Sequence, residues 1–129
     1  MAVTHSTAAR NEATDAVTAL IGASGRLRFR LAGTVAAPGT SVANLALSAT
    51  AFGASATGTA TASAITSDTN AAGNASAVAN ATLETSGGTV VIHCAVAASA
   101  SDINMSNGLT ITAGDTVSCS ALTYTALSA

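Results

Sequence analysis

Large side chains are scarce in this sequence, which limits the hydrophobic core that it can build. Its 129 residues include two phenylalanines, one tyrosine, two methionines and no tryptophan, while alanine supplies about a quarter of the chain. Fully burying a large side chain stabilises a fold by roughly 1.5 to 3 kcal/mol, and net stability is typically about 5 to 15 kcal/mol. We therefore expect the monomer to be only marginally stable and to associate with copies of itself or with a partner. A GC-rich genome is the alternative explanation of the alanine content.

Groups that perform chemistry are also few. Charged residues form 8% of the chain, and lysine is absent. Catalysis needs several titratable side chains converging in one pocket, so we predict no enzymatic activity, no catalytic or metal-binding residue and no cofactor. Four arginines and a net charge of −2 predict no nucleic-acid partner. The lack of a long apolar run and of a basic leader predicts no membrane partner and no export.

Residues 6–21 have the pattern of an amphipathic helix, because their apolar positions recur at three- and four-residue steps. An isolated helix of this length is marginal in water, so the face formed by Ala13, Val17 and Leu20 is predicted to pack on a sheet or a sister subunit. Val17 and Leu20 are therefore candidate contact residues. The expected caps are Thr4 or Ser6 at the start, and Gly22 with Gly25 at the end.

The remainder of the chain has the pattern of β-structure. Strands are predicted over residues 26–31, 41–50, 56–65, 77–85, 89–96 and 116–125, with a short segment at 102–105. Val42 and Leu45 are out of phase, which indicates a bulge or a late start of the strand. Gly87-Gly88 predicts a two-residue hairpin turn. The fold class is therefore mainly β, an antiparallel sandwich or barrel-like domain after one N-terminal α-helix. We expect one domain over residues 1–129, with the helix segment in 1–25 and the sandwich in 26–129.

Strict alternation over residues 26–31 places Arg26, Arg28 and Arg30 on one strand face and the apolar residues between them on the other. Three like charges on one face repel each other unless solvent or acidic groups surround them. Arginine forks bind carboxylates in pairs of hydrogen bonds. Three interpretations follow: a solvated outer face, a contact with a subunit or partner, or a phosphate site. We take the three arginines as candidate protein-contact residues.

Other reactive residues have structural explanations. His93 and Cys94 are adjacent on a predicted strand, so they point to opposite faces and cannot share a metal site. Cys94 and Cys119 lie on strands that could be neighbours, but in a reducing cytoplasm we expect small buried hydrophobes rather than a disulfide. Acids beside turn residues are expected to cap backbone amides or to accept turn hydrogen bonds. These acids are Asp68, Glu84, Asp102 and Asp115.

Short strings along almost the whole chain resemble small virion proteins of tailed bacteriophages. The strings are THSTAARN at 4–11, ATDAV at 13–17, GRLRFR at 25–30, LALS at 45–48, AFG at 51–53, ITSD at 65–68, LTITAGDTV at 109–117 and LTYT at 122–125. The similarity lies in these short strings and in their order along the chain, and it includes no active-site motif. Among these proteins the chain is most similar to head decoration, or cement, proteins.

The resemblance implies a β-rich subunit on the capsid exterior, made in the host bacterial cytoplasm. Such a subunit bridges neighbouring major capsid protein subunits and is often a trimer, so the implied partners are the major capsid protein and further copies of the chain. It implies no residue roles, because such proteins act through interface area and shape. A tail or head-fibre base protein is the alternative. An enzyme or small-molecule binder and a cellular adhesive β domain stay open as other classes.

Overall fold

The computed structural model describes residues 3–127, so the predicted domain over 1–129 is described without residues 1–2 and 128–129. Within that range one helix, α1 (Thr7–Ala19), precedes the strands. The strands are β1 (Arg26–Arg30), β2 (Ser41–Ala46), β3 (Thr59–Thr61), β4 (Asn80–Glu84), β5 (Val90–Ala97), β6 (Ile103–Asn104) and β7 (Thr123–Thr125). The prediction of a mainly β fold preceded by one helix is confirmed.

Five strands form a sheet in the order β2-β1-β4-β5-β6. The first four are mutually antiparallel, but β6 runs parallel to β5. The prediction of a purely antiparallel architecture is therefore wrong at this edge. Asp102 explains the difference, because its carboxylate accepts the amide of Ala95 at 2.9 Å. Asp102 therefore lies beside Ala95, before β5 ends at Ala97. The residues that follow Asp102 pair with the end of β5 and run in the same direction.

A separate antiparallel pair joins β3 to β7, with Ala60 opposite Tyr124. Both strands are much shorter than the predicted ranges 56–65 and 116–125. Alanine, glycine, serine and threonine dominate the first range and present little side-chain area for packing on a pleated surface. Isolated bridges such as Phe52–Ala62 replace a continuous ladder there.

The bulge predicted in β2 is confirmed. Phe29 faces Ala43 while Arg30 faces Ser41, so Val42 is an extra residue in the register between β1 and β2. Val42 and Ala43 are consecutive and both are buried, which a regular strand with one buried face would not allow.

The core lies against one face of the five-stranded sheet. Leu27 and Phe29 of β1 point into it, as predicted, together with Leu45 and Leu83 from the neighbouring strands. Leu31 lies beyond the end of β1 and packs at the margin of the core. The alternate residues of β1 and β4 therefore lie on the opposite face of the sheet, which is where the charged residues gather.

Helix α1 begins as predicted, since Ser6 Oγ accepts the amide of Ala9 at 3.2 Å. Gly22 follows the helix with φ of +68°, the left-handed conformation predicted for it, whereas Gly25 does not adopt a positive φ. The helix packs on the β3–β7 pair.

The face of α1 that is most buried is not the predicted one. Thr14 and Thr18 are buried, whereas Leu20 is 65% exposed and Val17 is half-buried. The Thr14 hydroxyl donates to the carbonyl of Gly58 at 2.6 Å and accepts the amide of Ala126 at 3.1 Å. Hydrogen bonds from Thr14 to two remote segments therefore help to orient the helix.

Candidate functional site

The register of the large sheet places the three arginines of β1 against polar residues of β4, and β4 against β5. Directly paired residues of antiparallel strands lie on the same face. The pairs are Arg26–Glu84, Arg28–Thr82, Arg30–Asn80 and Thr82–His93. We call the side of the sheet formed by these seven residues the arginine face; Arg30, Asn80, Thr82 and Glu84 of it are buried.

Arg30 is buried on this face by an ion pair with Glu84. Its Nη2 and Nε lie 2.6 and 3.2 Å from Oε2 of Glu84, and its Nη1 donates to the carbonyl of Gly39 at 2.6 Å. The Thr82 hydroxyl donates to the same carboxylate oxygen. The Glu84 side chain has no exposed surface, so these donors replace water around its charge.

This pair changes two interpretations of the sequence. A solvated outer face does not describe Arg30, because its guanidinium is enclosed within the fold. The prediction that Glu84 accepts turn hydrogen bonds is wrong, because its carboxylate pairs with Arg30 instead. A signal was available in the polar residues at every second position of β4, Asn80, Thr82 and Glu84, which match the period of the arginines.

Arg28 and Arg26 lie closer to solvent than Arg30 does. Arg28 Nη1 is 3.7 Å from Oε1 of Glu84, too far for a hydrogen bond, and its side chain is 23% exposed. Arg26 is half-buried. The two salt bridges among residues 3–127 do not include it. Glu84 therefore offsets the charge of Arg30 fully and the charges of the other two arginines only weakly.

Four buried polar atoms of the arginine face have no hydrogen-bond partner among the described residues. A buried polar group without a partner destabilises a fold by roughly 1 to 3 kcal/mol, so each such atom needs an explanation. The atoms are Arg28 Nε, Asn80 Oδ1, Glu84 Oε1 and His93 Nε2. The hydrogen bonding of this face is therefore incomplete within the single chain.

The acids of the loops bind backbone amides. Asp68 accepts the amides of Asn44 and Asn70, at 2.9 and 3.0 Å. Asp102 accepts an amide of β5, as described above, and Asp115 accepts the amide of Thr112 at 2.9 Å. The structural role predicted for these three acids is confirmed. Asp15, on α1, accepts the amide of Ser55 at 2.9 Å in the same way.

The cysteines are free thiols, and Cys94 is buried in the core. Burial, with a smaller contribution from the charge of Asp102, raises the pKa of the Cys94 thiol to about 11. Burial also raises the pKa of Cys119. The thiolate is the nucleophile and the metal ligand, and it is a minor form at neutral pH when the pKa is this high. Cys94 therefore behaves as the small buried hydrophobe that we predicted.

His93 lies on the arginine face and Cys94 in the core, so the prediction that they point to opposite faces is confirmed. Among residues 3–127 no group of three His, Cys, Asp or Glu side chains could hold a metal ion.

An open cleft of about 580 Å³ lies on the core side of the sheet, with Phe29 among its lining residues. Ile103, Met105 and Leu122 contribute apolar walls. The cleft has apolar walls, and the carboxylates of Asp102 and Asp115 are already hydrogen-bonded to backbone amides.

The structure places the predicted contact residues on two elements. Arg26, Arg28 and Arg30 lie together on the arginine face, whereas Val17 and Leu20 lie in or just after α1, which packs on the β3–β7 pair. Within residues 3–127 no helix is long and apolar enough to cross a membrane. No protein-family model, curated protein or solved structure matches this chain.

Proposed function

We propose that this protein is a non-enzymatic structural protein of a tailed phage, which decorates the outside of the capsid and bridges neighbouring major capsid protein subunits. The assignment to a tailed phage rests on the resemblance of the short sequence strings described above. The observation that carries the non-enzymatic role is how the charged side chains are used. Loop carboxylates hold backbone amides, Glu84 holds Arg30, and the partly exposed Arg26 and Arg28 lie together on one sheet face. The charged side chains named here therefore either stabilise the fold or lie together on one face of the sheet.

This arrangement favours contact over catalysis. General acids, bases and nucleophiles act through groups that can exchange protons or attack a substrate in a pocket. Asp15, Asp68 and Asp115 are engaged with backbone amides, and the burial that raises the pKa of Cys94 disfavours its thiolate. A role that depends on interface area and shape suits these residues better.

A bridging protein needs at least two contact surfaces, and the fold supplies two of different character. Arg26 and Arg28 provide a positively charged surface on the large sheet. Leu20 provides an exposed apolar side chain at the end of α1, on another element. Many copies bound to a lattice add weak contacts by multivalency, so neither surface needs high affinity alone.

Co-sedimentation tests the proposal. Purified protein is mixed with empty shells assembled from the major capsid protein that is encoded nearest to it, and shells of an unrelated phage serve as the control. We expect saturable pelleting with the matched shells alone. Pelleting with purified tails or head fibres instead would favour the alternative of a tail or head-fibre base protein. Binding to none of these particles would contradict a virion role.

A further inference from the structure

We propose that the arginine face binds carboxylate groups of a neighbouring protein chain through the guanidinium groups of Arg26 and Arg28. The identity of that chain, the major capsid protein, rests on the proposed function. The chemistry of recognition follows from the face itself.

Arg30 and Glu84 prepare the face without taking part in the contact. Oε2 of Glu84 receives Nε and Nη2 of Arg30 and the hydroxyl of Thr82. The remaining Nη1 of Arg30 donates to the carbonyl of Gly39. Because Arg30 is engaged on all these sides, it acts as an internal support. Arg26 and Arg28 are the arginines of the face that remain for an external anion.

The charge distribution of the chain fits an acidic partner. Three arginines and one glutamate lie on the arginine face, whereas the rest of the chain contains one arginine and five acids. The face is therefore positive on a protein of net charge −2. An acidic surface is attracted to this face and repelled by the rest of the molecule, which orients the encounter.

Carboxylates fit this site better than a phosphate backbone does. Residues two apart on a strand are about 6.6 to 6.8 Å apart, so Arg26 and Arg28 match two acids at a similar spacing. Planar guanidinium forks are suited to carboxylates, and the face already holds one carboxylate against Arg30. Non-specific nucleic-acid binding depends on neutralising many phosphates, and two arginines are too few for that.

The unpartnered atoms provide an independent reason to expect a ligand here. Arg28 Nε is a buried donor without an acceptor, and His93 Nε2 is also buried without a partner. Asn80 and Glu84 are more than nine-tenths buried, and each has one unpartnered oxygen. The Arg28 side chain is 23% exposed, and an external carboxylate makes contact at that exposed part. The buried Nε gains an acceptor only when the Arg28 side chain shifts on binding.

Substitution of both arginines tests the site in the shell assay. Arg26→Gln with Arg28→Gln preserves the strand pattern and the Arg30–Glu84 pair, and circular dichroism confirms the fold. We expect at least a tenfold loss of affinity for matched shells, with a smaller loss for Arg26→Lys with Arg28→Lys, which keeps charge without the fork. Glu12→Gln, on the exposed side of α1, is the control and should bind like the wild type.

Salt dependence gives a second measurement on the same variants. The Debye length falls from about 10 Å at 0.1 M salt to about 3 Å at 1 M, so wild-type binding should weaken over this range. The double glutamine variant should lose most of that dependence. Unchanged affinity and unchanged salt dependence in this variant would overturn the inference and leave capsid decoration intact.

A capped tetraglutamate peptide tests the chemistry without a capsid. Titration into ¹⁵N-labelled protein should produce saturable shifts in the amides of β1 and in the Arg26 and Arg28 Nε–H signals, absent from the double glutamine variant. Such shifts without shell binding would contradict the proposed function alone. Larger shifts with inorganic phosphate than with the peptide would overturn carboxylate recognition. Loss of self-association in the double variant would assign the face to a second copy and overturn a capsid contact.

Discussion

Glu84 is the residue on which the arrangement of the arginine face depends, because its side chain has no exposed surface and its Oε2 accepts hydrogen bonds from Arg30 and Thr82. Removing two charges from water is costly, and a buried pair compensates for this only with good geometry and further hydrogen bonds. Thr82 and Gly39 supply those hydrogen bonds around Glu84 and Arg30. The pair therefore determines where Arg30 lies and leaves the neighbouring arginines near solvent.

Replacing Glu84 by glutamine keeps the side-chain shape and removes the charge. We expect the free energy of unfolding to fall by about 3 to 5 kcal/mol, because Arg30 becomes a buried cation without a counter-charge. Urea unfolding followed by circular dichroism measures the effect. Glu12→Gln, at an exposed position, should stay within about 0.5 kcal/mol of the wild type. Equal stability of the two variants would show that the ion pair does not hold the face.

At the level of secondary-structure elements, the sequence predicted those features that depend only on residues close together in the chain. Ser6 caps α1, and a hairpin joins β4 to β5, as predicted. Its turn is centred on Ser86 and Gly87 rather than on Gly87-Gly88, because the amide of Gly88 donates to the carbonyl of Thr85. Pairing between distant strands was not predictable in this way, since nothing in residues 26–31 specifies that β1 lies beside β4. The burial of Glu84 was missed for this reason. The same applies to Thr14, whose partners Gly58 and Ala126 come from remote segments.

Thr14→Val tests whether hydrogen bonds dock the helix. Valine has nearly the same shape but leaves the carbonyl of Gly58 and the amide of Ala126 without their partner. We expect a loss of about 1 to 3 kcal/mol in the free energy of unfolding, measured by urea unfolding. Thr50→Val, at an exposed position, is the matched control. A stability equal to that of the control would mean that apolar packing holds the helix.

Leu20→Asp separates folding from assembly. Leu20 is 65% exposed in the single chain, so thermal unfolding of the dilute protein should change little. An acid near a helix C-terminus is unfavourable by typically 0.3 to 1 kcal/mol, which limits the expected change. Shell binding and self-association, in contrast, should be lost. A variant that melts and binds shells like the wild type would exclude Leu20 from any contact.

For the whole molecule, the decisive property is a core built from few large side chains. Ile21, Leu27, Phe29 and Leu83 are among its larger buried residues, and alanines such as Ala81 fill much of the remainder. Composition predicted a core with few large side chains, and the alternation of apolar residues between turn signals predicted the β-rich class. Neither could predict which surfaces remain available for contacts, because those depend on the long-range pairing that buries Arg30 and leaves Arg28 partly exposed.

We expect self-association because the core contains few large side chains. We expect a trimer or another small closed oligomer at micromolar concentration, with a melting temperature that rises with protein concentration. Sedimentation velocity and calorimetry over a hundredfold concentration range measure both quantities. A stable monomer whose melting temperature does not depend on concentration would refute the inference that this core needs partners.

Cryo-electron microscopy of purified particles tests the capsid role most directly. We predict density on the outer shell surface that fits the five-stranded sheet, bridges neighbouring major capsid protein subunits, and places Arg26 and Arg28 within hydrogen-bond distance of acidic side chains of the shell. Density for the chain in the tail or the fibre base, or its absence from particles of the phage that encodes it, would contradict the account.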